Sequence, residues 1–236
     1  MPPKRACDLS VEDRSNIIRQ TDFSASLSEP LRARLAAVAS AIDYGRRRFV
    51  YRAGDPADAL YLIARGRIKL CRIEAVTGRE AVIDILPAGS LFGESALYAA
   101  GSREKCAVTY ENSRLLRIPV GEFKEGMAES RLLYDYTFRL IGQRLTRAER
   151  LVADFALDAI PARLEKLLIE FSKRYGVNET NGVLIDIPLP HREIASIVGS
   201  TRESVTVRLN AMRRDGIIDF VNRKILIKRP ESLAAA

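Results

Sequence analysis

Histidine is almost absent from this chain: among 236 residues there is one, His191. Catalytic metal sites in β-barrels lean on imidazole ligands. A cupin-like barrel enzyme, the rival class to weigh first, therefore has almost no ligand set to draw on, and no metal and no enzymatic activity are expected. Cysteine is also scarce. Cys7, Cys71 and Cys106 are widely spaced and odd in number, which fits reduced thiols better than a disulfide framework. Three scattered thiols cannot supply the four thiolates of an iron-sulfur cluster. No run of about 18 apolar residues is present to span a bilayer, and the opening MPPKRACDLSVEDR lacks the apolar segment of a secretory signal. The expectation is a soluble, cytoplasmic protein with no membrane partner.

The chain is 47% hydrophobic and 29% charged, enough to bury a core in one large domain or two modest ones. Its net charge of +8 favours a polyanionic partner, although charge alone names none.

After a polar N-terminal arm, SLSEPLRARLAAVASAI (26 to 42) spaces Leu31, Leu35, Val38 and Ile42 as a helix does, with Ser28 as cap. From about 46 to 120 short alternating runs are broken by turn residues, which indicates an antiparallel sandwich or barrel. From about Val120 to Leu157 the strand pattern is lost. Leu133, Tyr136, Leu140, Leu145 and Leu151 form part of a long apolar stripe. A helix of about 25 residues is near 37 Å long, so it is expected to pack on a second copy of itself; the alternative is a helix covering its own sheet. PARLEKLLIEFSKRYG reads as a further amphipathic helix, followed by a polar linker, VNETNG, and a strand, VLIDIPL.

The segment HREIASIVGSTRESVTVRLNAMRRDG carries the chemistry. Ile194, Ala195 and Val198 share one face of a first helix, and Gly199 supplies the positive φ of a tight turn. Ser200 or Thr201 caps a second helix, in which Val205, Leu209 and Met212 recur on the buried face. Arg202, Glu203, Thr206 and Val207 are left facing outward. That is the helix-turn-helix pattern, with a second helix sized for a major groove. Two β runs around Asn222-Arg223 form a wing. Nine Lys or Arg stand against four Asp or Glu between His191 and Arg229. The plain alternative is a helical hairpin with a solvated basic face.

The order of sandwich, long helix and winged helix-turn-helix resembles the Crp/Fnr family of bacterial transcription regulators over about 28 to 230. GDPADALYLIARGRIKL (54 to 70), PAGSLFGESAL (87 to 97) and HREIASIVGSTRESVTVRLNAMRRDGII (191 to 218) carry the likeness. It implies an α+β fold with an arm (1–27), an N-terminal cyclic-nucleotide-binding-like β-roll, or antiparallel jelly roll (28–126), a long dimerisation helix (127–157) and a C-terminal winged helix-turn-helix (158–236). It also implies a homodimer on a two-fold symmetric operator, with RNA polymerase as a further partner.

By the same resemblance Arg202 and Glu203 match the family's base-reading pair. A guanidinium donates two hydrogen bonds to guanine and a carboxylate accepts from the cytosine amino group, each worth about 1–3 kcal/mol of discrimination. Where the family often has a second arginine this chain has Val207, with Arg208 beside it. Thr206 is a further candidate for the bases. Ser200, Thr201, His191, Arg208, Arg223 and Lys224 are candidates for the DNA backbone. For an effector, Gly93, Glu94, Ser95, Arg103 and Glu104 are the candidate pocket residues. A carboxylate at Glu104 opposes a phosphodiester, and LTRAERL replaces the family's adenine-contacting Thr-Ser pair, so cyclic AMP is disfavoured; Glu94 and Ser95 then belong to a retained turn. Haem through Cys71 or Cys106 has nothing specific in its favour. Cys106 is either a redox thiol beside Arg103 and Lys105 or a small buried strand residue. A regulator with an unidentified signal, or none, is the leading reading; cyclic-nucleotide or thiol-redox control is the alternative.

Overall fold

The computed structural model describes residues 4–6, 8–98 and 101–234. Cys7 lies outside them. Two compact units divide the chain, Met1–Leu145 and Thr146–Ala236.

The first unit contains β1 (Lys4–Ala6), α1 (Val11–Arg19), α2 (Glu29–Val38), β2 (Ser40–Tyr44), β3 (Phe49–Tyr51), β4 (Ala59–Arg65), β5 (Ile68–Ile73), β6 (Glu80–Leu86), β7 (Leu91–Phe92), β8 (Cys106–Thr109), β9 (Ser113–Pro119) and α3 (Val120–Glu129). α4 (Arg131–Leu157) begins in it. One antiparallel sheet has the order β1-β2-β9-β4-β7 and another the order β3-β8-β5-β6. β4 explains the layering. Its ALYLIAR run is buried on both faces, as a strand covered on two sides must be. Ala59, Tyr61 and Ile63 point into a core shared with Ile68, Leu70 and Ala107 of the second sheet. Leu60 and Leu62 point the other way, into a core with Leu31, Leu35, Phe123 and Leu133 from the helices.

Residues 11–26 were expected to lie in a polar arm, and here the structure differs. Ser10 and Asp13 close a capping box on α1, and Ile18 and Phe23 are fully buried. The Phe23 ring packs 6.0 Å from Phe123 and 5.4 Å from Tyr136. Two apolar anchors outweigh the polar composition of the segment around them. Ser28 caps α2, accepting from Leu31 N.

α4 covers the core of its own chain with one face and leaves apolar residues exposed on another. Leu133, Tyr136 and Leu140, expected on a dimer face, pack into the core of their own chain, which corrects that assignment. Phe138, Leu145 and Val152 are 70%, 58% and 69% exposed, and they repeat every seventh residue, the period of a coiled-coil seam. Leu151 is half-buried beside them.

The second unit holds the rest of α4, then α5 (Ile160–Tyr175), β10 (Gly176–Glu179), β11 (Gly182–Ile185), α6 (His191–Val198), α7 (Arg202–Arg214), β12 (Ile218–Val221), β13 (Lys224–Ile227) and α8 (Glu231–Ala234). Its antiparallel sheet runs β10-β11-β13-β12. The VNETNG segment, expected as a linker, supplies most of β10 and its turn, with Val177 opposite Leu184; backbone pairing replaces the apolar signal this polar stretch lacks. Ile194, Ala195, Val198, Val205, Leu209 and Met212 are all buried.

Candidate nucleic-acid interface

The turn between α6 and α7 rests on Gly199, at φ 65° and ψ 47°. A β-carbon there would also meet the Phe155 ring, so glycine is required for conformation and for space. Thr201, rather than Ser200, is the cap of α7. Its hydroxyl oxygen accepts from Ser204 N at 3.1 Å and satisfies an otherwise free donor of the first turn. The Ser200 hydroxyl is buried without a hydrogen-bond partner among the described residues.

With Val205, Leu209 and Met212 turned inward, Arg202 and Glu203 stand exposed at the start of α7 and Val207 is exposed one turn on. Thr206 is half-buried. Its hydroxyl donates to Arg202 O at 2.7 Å, so its oxygen must accept from His191 Nδ1 at 2.8 Å. That arrangement places the proton of neutral His191 on Nδ1. Burial, aided by the Arg202 charge, holds His191 below the usual imidazole range.

Two cations expected at the DNA backbone are held inside the unit. Arg208 Nη2 donates to Glu165 Oε1 at 2.5 Å, and Lys224 Nζ donates to Asp186 Oδ1 at 2.5 Å. Arg223 is exposed at the wing turn, where it and Asn222 take φ of 66° and 50°, the backbone of a two-residue hairpin turn. Sequence reasoning missed Asn210 and Arg214. Both are exposed on the face of Glu203 and Val207, and their helical spacing from those residues was the available signal.

In the first unit, Gly93 at φ 85° opens a short 3-10 helix, Glu94–Leu97. Glu94, Ser95 and Arg103 are buried. Arg103 donates to Gly93 O at 2.9 Å and to Ala59 O at 2.5 Å, and its guanidinium lies 4.4 Å from the Tyr51 ring centre. Glu104, expected in the pocket, is 68% exposed and faces Arg72 at 3.8 Å. The neighbour that turns inward is Lys105, 3.2 Å from Glu94. Arg144 of α4 lies 3.1 Å from Asp84 and 4.0 Å from Glu94. Burial pushes Glu94 up, but Lys105 and Arg144 outweigh it and hold the carboxyl below its usual range. The register sets Cys106 opposite Cys71, and both are buried free thiols. Burial, with a hydrogen bond to Glu80, pushes Cys71 up. Of the two cations expected to activate Cys106, Arg103 donates to two backbone carbonyls and Lys105 pairs with Glu94.

A helix-turn-helix with a free polar face, a wing and a β-roll define a DNA-binding regulator. Residues 162–236 match the model of the Crp-like helix-turn-helix domain, and residues 41–130 match that of the cyclic nucleotide-binding domain. The chain is 29% identical over 193 residues to a CRP-like cAMP-activated global transcriptional regulator of Mycobacterium tuberculosis (strain ATCC 25618 / H37Rv), covering 82% of this chain and 86% of that one. It is 28% identical over 193 residues to the global nitrogen regulator of Nostoc sp. (strain PCC 7120 / SAG 25.82 / UTEX 2576), covering 81% and 86%. The solved structure of FixK2 from Bradyrhizobium japonicum superposes with a TM-score of 0.74 at 19% identity, covering 84% of this chain and 96% of that one. The chain belongs to the Crp/Fnr family, and it is a DNA-binding transcription regulator. Among the described residues no helix is long and apolar enough to cross a membrane, and no group of three His, Cys, Asp or Glu is placed to hold a metal.

Proposed function

We propose that the protein acts in the cytoplasm as a homodimer on a two-fold symmetric operator, reading each half-site with Arg202 and Glu203 and working with RNA polymerase. The observation that carries this reading is the exposure of those two side chains at the N-terminal end of α7, on the face opposite its buried residues. Thr201, His191 and Arg223 are the candidates for phosphate contacts, which position the helix without reading sequence; Ser200, its hydroxyl buried, is not among them. The dimer reading rests on the exposed repeat of Phe138, Leu145 and Val152. In it, 28–126 is the effector-type domain, 127–157 the dimerisation helix and 158–236 the reader.

The pairing of the pocket residues disfavours a cyclic nucleotide as the signal. Arg103, the candidate phosphate ligand, lies buried against Tyr51 with two carbonyls as acceptors. The Lys105 and Arg144 charges face Glu94 and Asp84. A phosphodiester would have to compete with the buried Glu94 carboxylate for Lys105 and Arg144, which is costly. Control by another signal, or by none, is the reading this favours. Site selection from a pool of random duplexes tests the reading: the expected product is an inverted repeat with half-sites one helical turn apart, about 34 Å. Recovery of no consensus would contradict it.

A further inference from the structure

Glu203, Thr206, Val207 and Asn210 stand at i, i+3, i+4 and i+7 along α7, a spacing that presents side chains to base edges when a helix lies in a major groove. We infer that Val207 and Asn210 make the chain select two adjacent A·T pairs in each half-site, Val207 against a thymine methyl and Asn210 hydrogen-bonded to an adenine. The inference rests on the reading of α7 as the DNA-reading helix.

Three observations carry it. Val207 is 69% exposed on an otherwise polar face and, with Asn210, Arg213 and Arg214, lines an open depression of about 590 Å³. Two neighbouring guanidinium groups are engaged: Arg208 is bound by Glu165 at 2.5 Å and Arg213 by Asp219 at 3.1 Å, while Arg214 lies two turns beyond Val207 at the far end of the depression. Third, the Thr206 hydroxyl is committed to Arg202 O and His191. Between Glu203 and Arg214 the middle of the face therefore offers an isopropyl group and a carboxamide.

Chemistry then fixes the partner. A carboxamide has one donor and one acceptor side by side, which match adenine N7 and its N6 amino group; guanine presents two acceptors, N7 and O6, and would set its O6 against the carboxamide oxygen. An isopropyl group gains contact only from the C5 methyl of thymine. Asn210 is three residues beyond Val207, about 4.5 Å along the axis, close to the step of about 3.4 Å between base pairs, so the two side chains address neighbouring pairs.

The test uses the full-length protein and the operator recovered by selection. Replacing the thymine opposite Val207 by uracil, which removes only the methyl, should weaken wild-type binding a few-fold and Val207→Ala, whose shorter side chain makes less contact, by a smaller factor. Asn210→Ala should lower the preference for A·T over G·C at the adjacent pair by about fivefold to a hundredfold. Equal unfolding midpoints for both variants would show that the folded state is kept. A selected half-site with G·C at these positions, or losses by the variants that are the same on every sequence, would overturn this inference alone. Selection of no sequence at all would overturn the parent reading together with it.

Discussion

Thr206 ties three parts of the reader together, because its hydroxyl donates to Arg202 O while its oxygen receives the Nδ1 proton of His191. The imidazole also packs 5.8 Å from the Phe220 ring of the wing. His191 is held below its ordinary value by burial and then by Arg202. The folded state therefore binds this proton less readily than the unfolded chain. Its contribution to stability is complete above the unfolded value of about 6.5 and is lost as pH falls through the lower folded value. Thermal unfolding should show a midpoint that drops from pH 7.5 to 5.5, with a smaller drop in His191→Gln; an identical drop in both proteins would remove His191 as the cause. Arg202, Glu203 and Val207 were legible as outward residues because the apolar period of α7 fixes which side is buried. Glu104 and Lys105 were not. They lie just before β8 where no alternation runs, and which of the two turns inward is decided by the buried carboxylate of Glu94. Sequence pattern carries no trace of that partner. Arg208 and Lys224 were read as free cations for the same reason, since Glu165 and Asp186 are 43 and 38 residues away.

Helix α4 shows what one-dimensional periodicity merges. A stripe of apolar residues was visible, but 27 residues of helix carry two stripes: one inward through Leu133, Tyr136 and Leu140, one outward through Phe138, Leu145 and Val152. Separating them requires knowing that the first sheet lies under one face, which only the folded chain reveals. In the dimer reading, Leu145→Asp buries an unpaired carboxylate in the seam, a change that costs several kcal/mol. Sedimentation velocity should show its dimer dissociation constant raised at least about a hundredfold, with the unfolding midpoint of the monomer little changed. An unaltered dimer would place the interface elsewhere. The turn between α6 and α7 was legible from Gly199 alone, because a left-handed backbone favours glycine. Gly199→Ala should destabilise by about 1–2 kcal/mol from the backbone term, lowering the midpoint in calorimetry by several degrees. No change would mean that the turn relaxes freely.

For the whole molecule the net charge of +8 is a statement about its partner. If DNA binding neutralises about six to ten phosphates, affinity should fall by about 10³ to 10⁵ between 50 and 200 mM salt. A slope near zero in a titration over that range would exclude a phosphate-dominated interface. The succession of β-roll, long helix and winged reader was legible because each part has its own periodicity and turn chemistry. The buried role of residues 11–26 was not, since Ile18 and Phe23 reach the core from a segment whose other residues are mostly polar. Nor was the pairing of Asp84 and Glu94 with Arg144, which arrives from α4. The most direct measurement is fluorescence anisotropy of wild type, Arg202→Ala and Glu203→Ala on the selected operator and on a scrambled duplex. The account predicts that wild type prefers the operator by at least about a thousandfold, and that each variant loses about fivefold to a hundredfold of that preference while binding the scrambled duplex as before. Variants that keep the full preference would show that this pair does not read the bases.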